Sequence, residues 1–155
     1  MASPTAAERR LSFAQSVTRN TGLDEALIER LIHGFYADVR ADPLLAPIFA
    51  DKITDWAPHL RQMCDFWSSV MLMSGRYHGQ PMAKHAPLPI EAAHFDRWLD
   101  LFEAAARRLC PPAAADALIE RAGRIGESLE LAVAAERGQL LAPGERLKPG
   151  KAVSS

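Results

Sequence analysis

Asp24-Glu25-Ala26-Leu27-Ile28-Glu29-Arg30-Leu31-Ile32-His33-Gly34-Phe35-Tyr36-Ala37-Asp38-Val39-Arg40 is the stretch whose pattern decides the fold. Ile28, Leu31, Ile32, Phe35, Tyr36 and Val39 recur at steps of three and four, so one face of a helix carries all of them. Asp42-Pro43 stops the helix, because the residue before a proline is pushed out of the helical region. Three later segments repeat the same period and none shows a convincing period of two, which predicts an all-α protein.

The second helix is predicted from about Thr54-Asp55-Trp56, a polar cap with an acid at the start, to about Ser74-Gly75, with Pro58 confined to its first turn. His59, Met63, Phe66 and Val70 share one face, with Leu60, Trp67 and Met71 beside them. The third runs from about Ile90 to Leu109 with Phe95, Trp98, Leu99, Phe102 and Ala106 inward, and Pro111-Pro112 closes it. The fourth runs from about Ala113 to Glu136 on Leu118, Ala122, Ile125, Leu129 and Ala132. Gly123 and Gly126 inside it cost about 1 kcal/mol each relative to alanine, which a close helix or a flat ligand would offset.

The connections differ in character. Asp42 to Phe49 reads as a connector, yet Leu44, Leu45, Ile48 and Phe49 are too apolar to be left in water and should pack onto something. Between Pro81 and Pro87 at most one helical turn fits, and His85 sits in it. Residues 1–23 are expected to be an extension with at most a short helix, since no strong period supports one. From about Gln139, with Pro143-Gly144, Pro149-Gly150 and a Ser-Ser end, a flexible tail is expected. One domain over 24–138 follows.

At 155 residues and a net charge of −1, the chain suits one soluble globule and offers no basic field for nucleic acid or an anionic membrane. No run approaches the roughly 18 apolar residues of a membrane span. Arg9-Arg10 precedes no apolar stretch that would make an export signal. Cys64 and Cys110 lack the paired spacing of zinc or redox sites and read as reduced, buried thiols of a cytoplasmic protein. Glycine-rich phosphate loops, nucleophile elbows and helical two-histidine zinc motifs are all absent.

What remains is a set of polar tips on apolar faces: Tyr36, His59 and Trp98, one on each of three helices. Buried hydroxyl, imidazole and indole groups need partners, so the core has room for a polar ligand. His85, taken alone, is either a surface residue or part of that site.

Four strings in order carry a family resemblance. They are Phe35-Tyr36-x-x-Val39-Arg40-x-Asp42-Pro43-Leu44-Leu45-x-Pro47-Ile48-Phe49; Asp55-Trp56-x-x-His59-Leu60 with Met63-x-Asp65-Phe66-Trp67; Tyr77-x-Gly79-x-Pro81 with His85-x-x-Leu88-Pro89; and His94-Phe95-x-x-Trp98-Leu99. From Phe35 to Glu136 the chain resembles the truncated haemoglobins, and among them the third group. The resemblance implies a shortened globin, a helical sandwich around one haem b (iron protoporphyrin IX).

It further implies that His85 is the proximal iron ligand, its second ring nitrogen donating to a backbone carbonyl. Tyr36 and Trp98 become distal hydrogen-bond donors to dioxygen, nitric oxide or another diatomic ligand. His59 joins that distal set, swings as a gate, or supplies a sixth iron ligand. Phe35, Phe49, Met63 and Phe66 become apolar walls. Arg76, Tyr77, His78 and Lys84 are candidate partners for the haem propionates, whereas His33 and His94 read as solvated or structural. Two functions stay open: redox chemistry on the ligand, as a nitric oxide dioxygenase or peroxidase-like enzyme fed by an external electron donor, or storage, scavenging and sensing of gas. A monomer or weak dimer is expected.

Overall fold

Helix α1 (Ala6–Thr21) begins the structure, a computed structural model that describes residues 2–149. Sixteen residues long, it is more than the short helix the sequence suggested. The Thr5 hydroxyl accepts from the Glu8 amide (3.1 Å) while the Glu8 carboxylate accepts from the Thr5 amide (2.7 Å), a reciprocal cap that satisfies two otherwise unpaired donors. Gly22 ends it at φ +82, a conformation that glycine adopts without penalty. None of its residues is fully buried, though Ala14 and Val17 lie against the core, so it leaves no apolar stripe to read.

In α2 (Glu25–Ala41) Asp24 caps the Leu27 amide at 2.8 Å, and Leu27, Ile28, Leu31, Ile32, Phe35, Tyr36 and Val39 are all buried. Burying such a side chain contributes about 1.5–3 kcal/mol before ordering costs. Asp42 then turns the chain: its Oδ2 accepts from the Leu44 and Leu45 amides and its Oδ1 from Arg97 Nε at 2.7 Å. The connector is not a loop throughout, since Ala46–Lys52 forms a seven-residue helix, α3, with Pro47 in its first turn, where a missing N–H costs nothing. Leu45 is buried and Ile48 and Phe49 partly so, but Leu44 stays 41% exposed.

Helix α4 (Trp56–Leu72) is capped by Asp55, α5 (Pro81–His85) is the single turn allowed between prolines, and α6 (Ala92–Leu109) and α7 (Pro112–Glu136) follow. No strand occurs among the described residues, and none of their helices is long and apolar enough to cross a membrane. α2 lies on α4, α6 lies on α7, and α2 against α6 joins the two pairs into a helical sandwich. Gly34 permits that last approach: a Cβ there would stand 2.6 Å from Leu109 Cδ1. Gly126 faces Leu99 at ordinary contact distance, whereas Gly123 has nothing within 4 Å.

The core has two parts. The larger holds Phe35, Trp67, Phe102 and Leu118; the smaller holds Ile90, Phe95, Leu129, Val133, Ala134 and Leu147. Within the stretch from Gln139 that was expected to be a flexible tail, Leu147 is only 4% exposed. Its amide donates to Glu130 Oε1 (3.2 Å), Arg146 Nε reaches the same carboxylate, and Arg146 Nη2 reaches Asp96 at 2.7 Å. Burial of one leucine and a satisfied arginine hold the segment against α6 and α7. Gly150 and the Ser154-Ser155 end lie outside the described residues.

Candidate functional site

The two helix pairs do not close fully on one another. Between them lies a cavity of about 290 Å³, walled by α4, α5 and the segment after it, the start of α6, and Ile125 and Leu129 of α7, with Tyr36 and α3 completing it. Met63, Phe66 and Trp98 project from inward stripes but are only partly buried, because they face this space rather than other side chains.

His85 is on the wall, half-buried at the end of α5. Its Nδ1 lies 2.6 Å from the carbonyl oxygen of Pro81, one turn back. A carbonyl only accepts, so Nδ1 carries a proton, and in the neutral ring the lone pair is left on Nε2. Proline has no amide hydrogen and a fixed φ, so Pro81 suits the first turn of this short helix.

Tyr36 is 6% exposed and also lines the cavity. Burial, and then the nearby Cys64, push its phenol well above the ordinary value, so it remains a hydrogen-bond donor. Its ring meets Phe49 edge-on at 5.9 Å and His59 at 5.4 Å. His59, on the same wall, has its Nε2 buried without a hydrogen-bond partner. Burial, then the cationic forms of His85 and Lys84, lower its pKa and favour the neutral ring. Trp98 on α6 completes the polar-tipped set, its ring held by Phe35 at 5.7 Å and Phe102 at 5.7 Å.

The cavity thus brings together Tyr36, Phe49, His59, Met63, Phe66, His85 and Trp98. Phe35 is not among the residues that line it. It packs behind Tyr36 and Trp98, against Phe102 at 5.2 Å, and supports the wall rather than forming it. Neither cysteine is fully buried; both are free and half-buried. Burial, then Glu29, Asp65 and Glu25, push the Cys64 thiol up to about 11, and burial raises Cys110 as well.

The charged residues also sort themselves. Lys84 and Lys52 line the cavity, and Tyr77 does so while packing edge-on to Phe66 at 5.1 Å. Arg76 instead pairs with Glu25 at 3.3 Å, and His78 is exposed and off the wall. His33 is exposed too. His94 touches the cavity but its Nδ1 accepts from the Glu91 amide at 2.9 Å, closing the cap of α6.

Leu88 and Ile90 belong to the wall as well, although neither was assigned a site role from the sequence. Residues alternating with prolines carry no helical period, so only their apolar character between two breakers marked them. Trp56 was missed as a site residue for a different reason. It stands off the wall, stacked on Phe49 at 6.2 Å and under the Arg40 guanidinium at 4.7 Å, where it backs Tyr36 and His59.

Residues 16–125 match the family model for bacterial-like globins. The chain belongs to the bacterial-like globins, the truncated haemoglobins. The group 3 truncated haemoglobin of Campylobacter jejuni is 37% identical over 86 residues, which are 52% of this chain and 68% of that protein. A group 2 truncated haemoglobin from Bacillus subtilis is 34% identical over 79 residues, covering 50% of this chain and 60% of the other. Among solved structures, the group III truncated haemoglobin of C. jejuni superposes with a TM-score of 0.66 at 32% identity, over 69% of this chain and 88% of that one.

Membership of this family implies a haem cofactor and binding of diatomic ligands. The residues of this globin fit a haem. The cavity is apolar over most of its wall, the Pro81 carbonyl holds His85 Nδ1 and so leaves Nε2 as the ligating nitrogen of a neutral ring, and the buried His59 Nε2 has no protein partner. An orphaned buried polar atom beside an apolar cavity is what a missing polar ligand would satisfy.

Proposed function

We propose that this globin binds haem b through His85, holds dioxygen, nitric oxide or a similar small ligand near Tyr36, Trp98 and His59, and carries out redox chemistry on that ligand. Removal of nitric oxide or of peroxide, with electrons from an external donor, is the reaction class this favours. The observation that carries the reading is the His85 ring, held by the Pro81 carbonyl at 2.6 Å on the wall of a cavity that also contains an unpartnered His59 Nε2.

Bound haem would supply an iron centre that takes diatomic ligands and changes oxidation state. The protein's own groups do the rest. Tyr36, kept protonated by burial, and the Trp98 indole are donors that stabilise negative charge on a ligand. Neutral His59 is suited to accept a proton at Nε2 or return one. Lys52 and Lys84 are the lysines on the wall and the natural partners for haem carboxylates. Phe49, Met63 and Phe66 keep water out, which strengthens each polar contact inside.

Three polar tips around one ligand favour retention, and retention suits chemistry better than release. The reduced globin, supplied with an external reductase and pulses of nitric oxide or peroxide, should consume many equivalents at a steady rate. Consumption that stops after one equivalent per haem would contradict catalysis and leave storage or sensing.

A further inference from the structure

The segment that follows His85 has little structure of its own. The Leu88 amide donates to the His85 carbonyl (3.0 Å) and the Ile90 amide to Leu88 (2.9 Å), while Pro87 and Pro89 have no amide hydrogen to give. A side chain from elsewhere holds it. Arg137, at the end of α7, donates from Nη2 to the carbonyls of Leu88 (3.2 Å) and Ile90 (2.7 Å), using both protons of that nitrogen.

Leu88 and Ile90 line the cavity, three and five residues after His85. Nη1 of the same guanidinium is buried with no hydrogen-bond partner. An arginine kept for solubility alone would turn that nitrogen to water, so the reach to two carbonyls dictates its placement. The end of α7 is itself secured. The Gln139 amide bonds to Ala134 at 2.8 Å, and the Gln139 side chain exchanges bonds with the Lys148 backbone beside buried Leu147. Arg137, Gln139, Leu147 and Lys148 lie beyond residues 16–125, the part matched by the family model, whereas Leu88 and Ile90 lie within it.

We propose that Arg137 is a positioning residue for the axial histidine, clamping Leu88 and Ile90 to α7 and so fixing where the His85 ring meets iron. The inference rests on the reading of His85 as that ligand. Three full-length variants test it: R137M, which removes the donors, R137K, which keeps a cation of shorter reach, and H85A as the reference for the ligand.

In the haem-free protein, hydrogen exchange at the Leu88 and Ile90 amides should be faster by about tenfold or more in R137M, with R137K intermediate, since charge-assisted bonds are lost. In the ferrous haem-loaded protein, the iron–histidine stretching band should shift or broaden in R137M, and haem should pass to a scavenger about tenfold faster. Wild-type exchange and an unmoved band in R137M would overturn the proposal. If R137M fails to fold by circular dichroism, R137K decides: faster exchange supports the clamp and unchanged exchange overturns it. A band that persists in H85A would instead refute the ligand assignment, and the positioning role would fall with it.

Discussion

Replacing Tyr36 by phenylalanine removes one oxygen from the cavity wall and leaves the ring. The edge contacts to Phe35 at 4.9 Å, Phe49 at 5.9 Å and His59 at 5.4 Å depend on the ring, so the packing survives. A volume-conserving change of this kind costs less than about 1.5 kcal/mol of stability. The ligand, by contrast, loses a donor whose proton burial helps to retain. A hydrogen bond to a charged partner is worth about 1.5–3 kcal/mol, equivalent to a change of roughly tenfold to 150-fold in dissociation. Dioxygen release, followed by stopped flow with carbon monoxide as the competing ligand, should therefore accelerate within that range while the urea midpoint barely moves. An unchanged release rate in a folded variant would remove Tyr36 from the ligand's surroundings. A large loss of stability would show that the hydroxyl serves the fold instead.

Three other substitutions probe separate parts of the argument. Burial alone would raise the Asp42 carboxyl, but Arg97 and the Leu45 and Leu44 amides outweigh it and hold it below its ordinary 3.8. Its stabilisation is thus present above that value and lost as pH falls through the lower folded one. D42N should be less stable than wild type at pH 7 by urea unfolding, and the gap should close below about pH 4; a gap independent of pH would contradict the pairing. L147A should lower the unfolding free energy by about 2–5 kcal/mol, the usual cost of truncating a buried leucine, and no loss would mean that the C-terminal strap is dispensable. For His59, whose folded pKa lies below 6.5, the unfolded chain takes the proton first as pH drops, so stability declines as pH falls from 6.5. That decline should flatten in H59Q, and the same slope in both proteins would show that His59 does not titrate across unfolding.

The helical period of residues 24–136 made the four long helices legible, because α2, α6 and α7 each bury an apolar face and α4 turns His59, Met63 and Phe66 toward the cavity. α1 was hidden for the opposite reason. It buries no complete residue, and its signal lay in Thr5 and Glu8, a cap that matters only once a helix is entertained. α3 was masked by Pro43 and Pro47, although a proline in the first turn of a helix is compatible with it. The strap through Arg146 and Leu147 could not be read at all, since Pro143-Gly144 reads as a break and its partners Asp96 and Glu130 are brought near only by the tertiary fold. Within the site, the polar tips on apolar faces pointed to the cavity. Phe35 was expected on its wall from the family resemblance, but it is adjacent to Tyr36, and adjacent helical residues point about 100° apart, so Tyr36 lines the cavity and Phe35 packs behind it.

Haem titration into the haem-free H85A protein, beside wild type, asks most directly whether the imidazole on α5 grips the iron. Wild type should take up one haem per chain with an intense Soret band. H85A should bind weakly or lose haem to a scavenger within the time wild type retains it. An equal haem content with a wild-type spectrum in H85A would show that another residue ligates the iron.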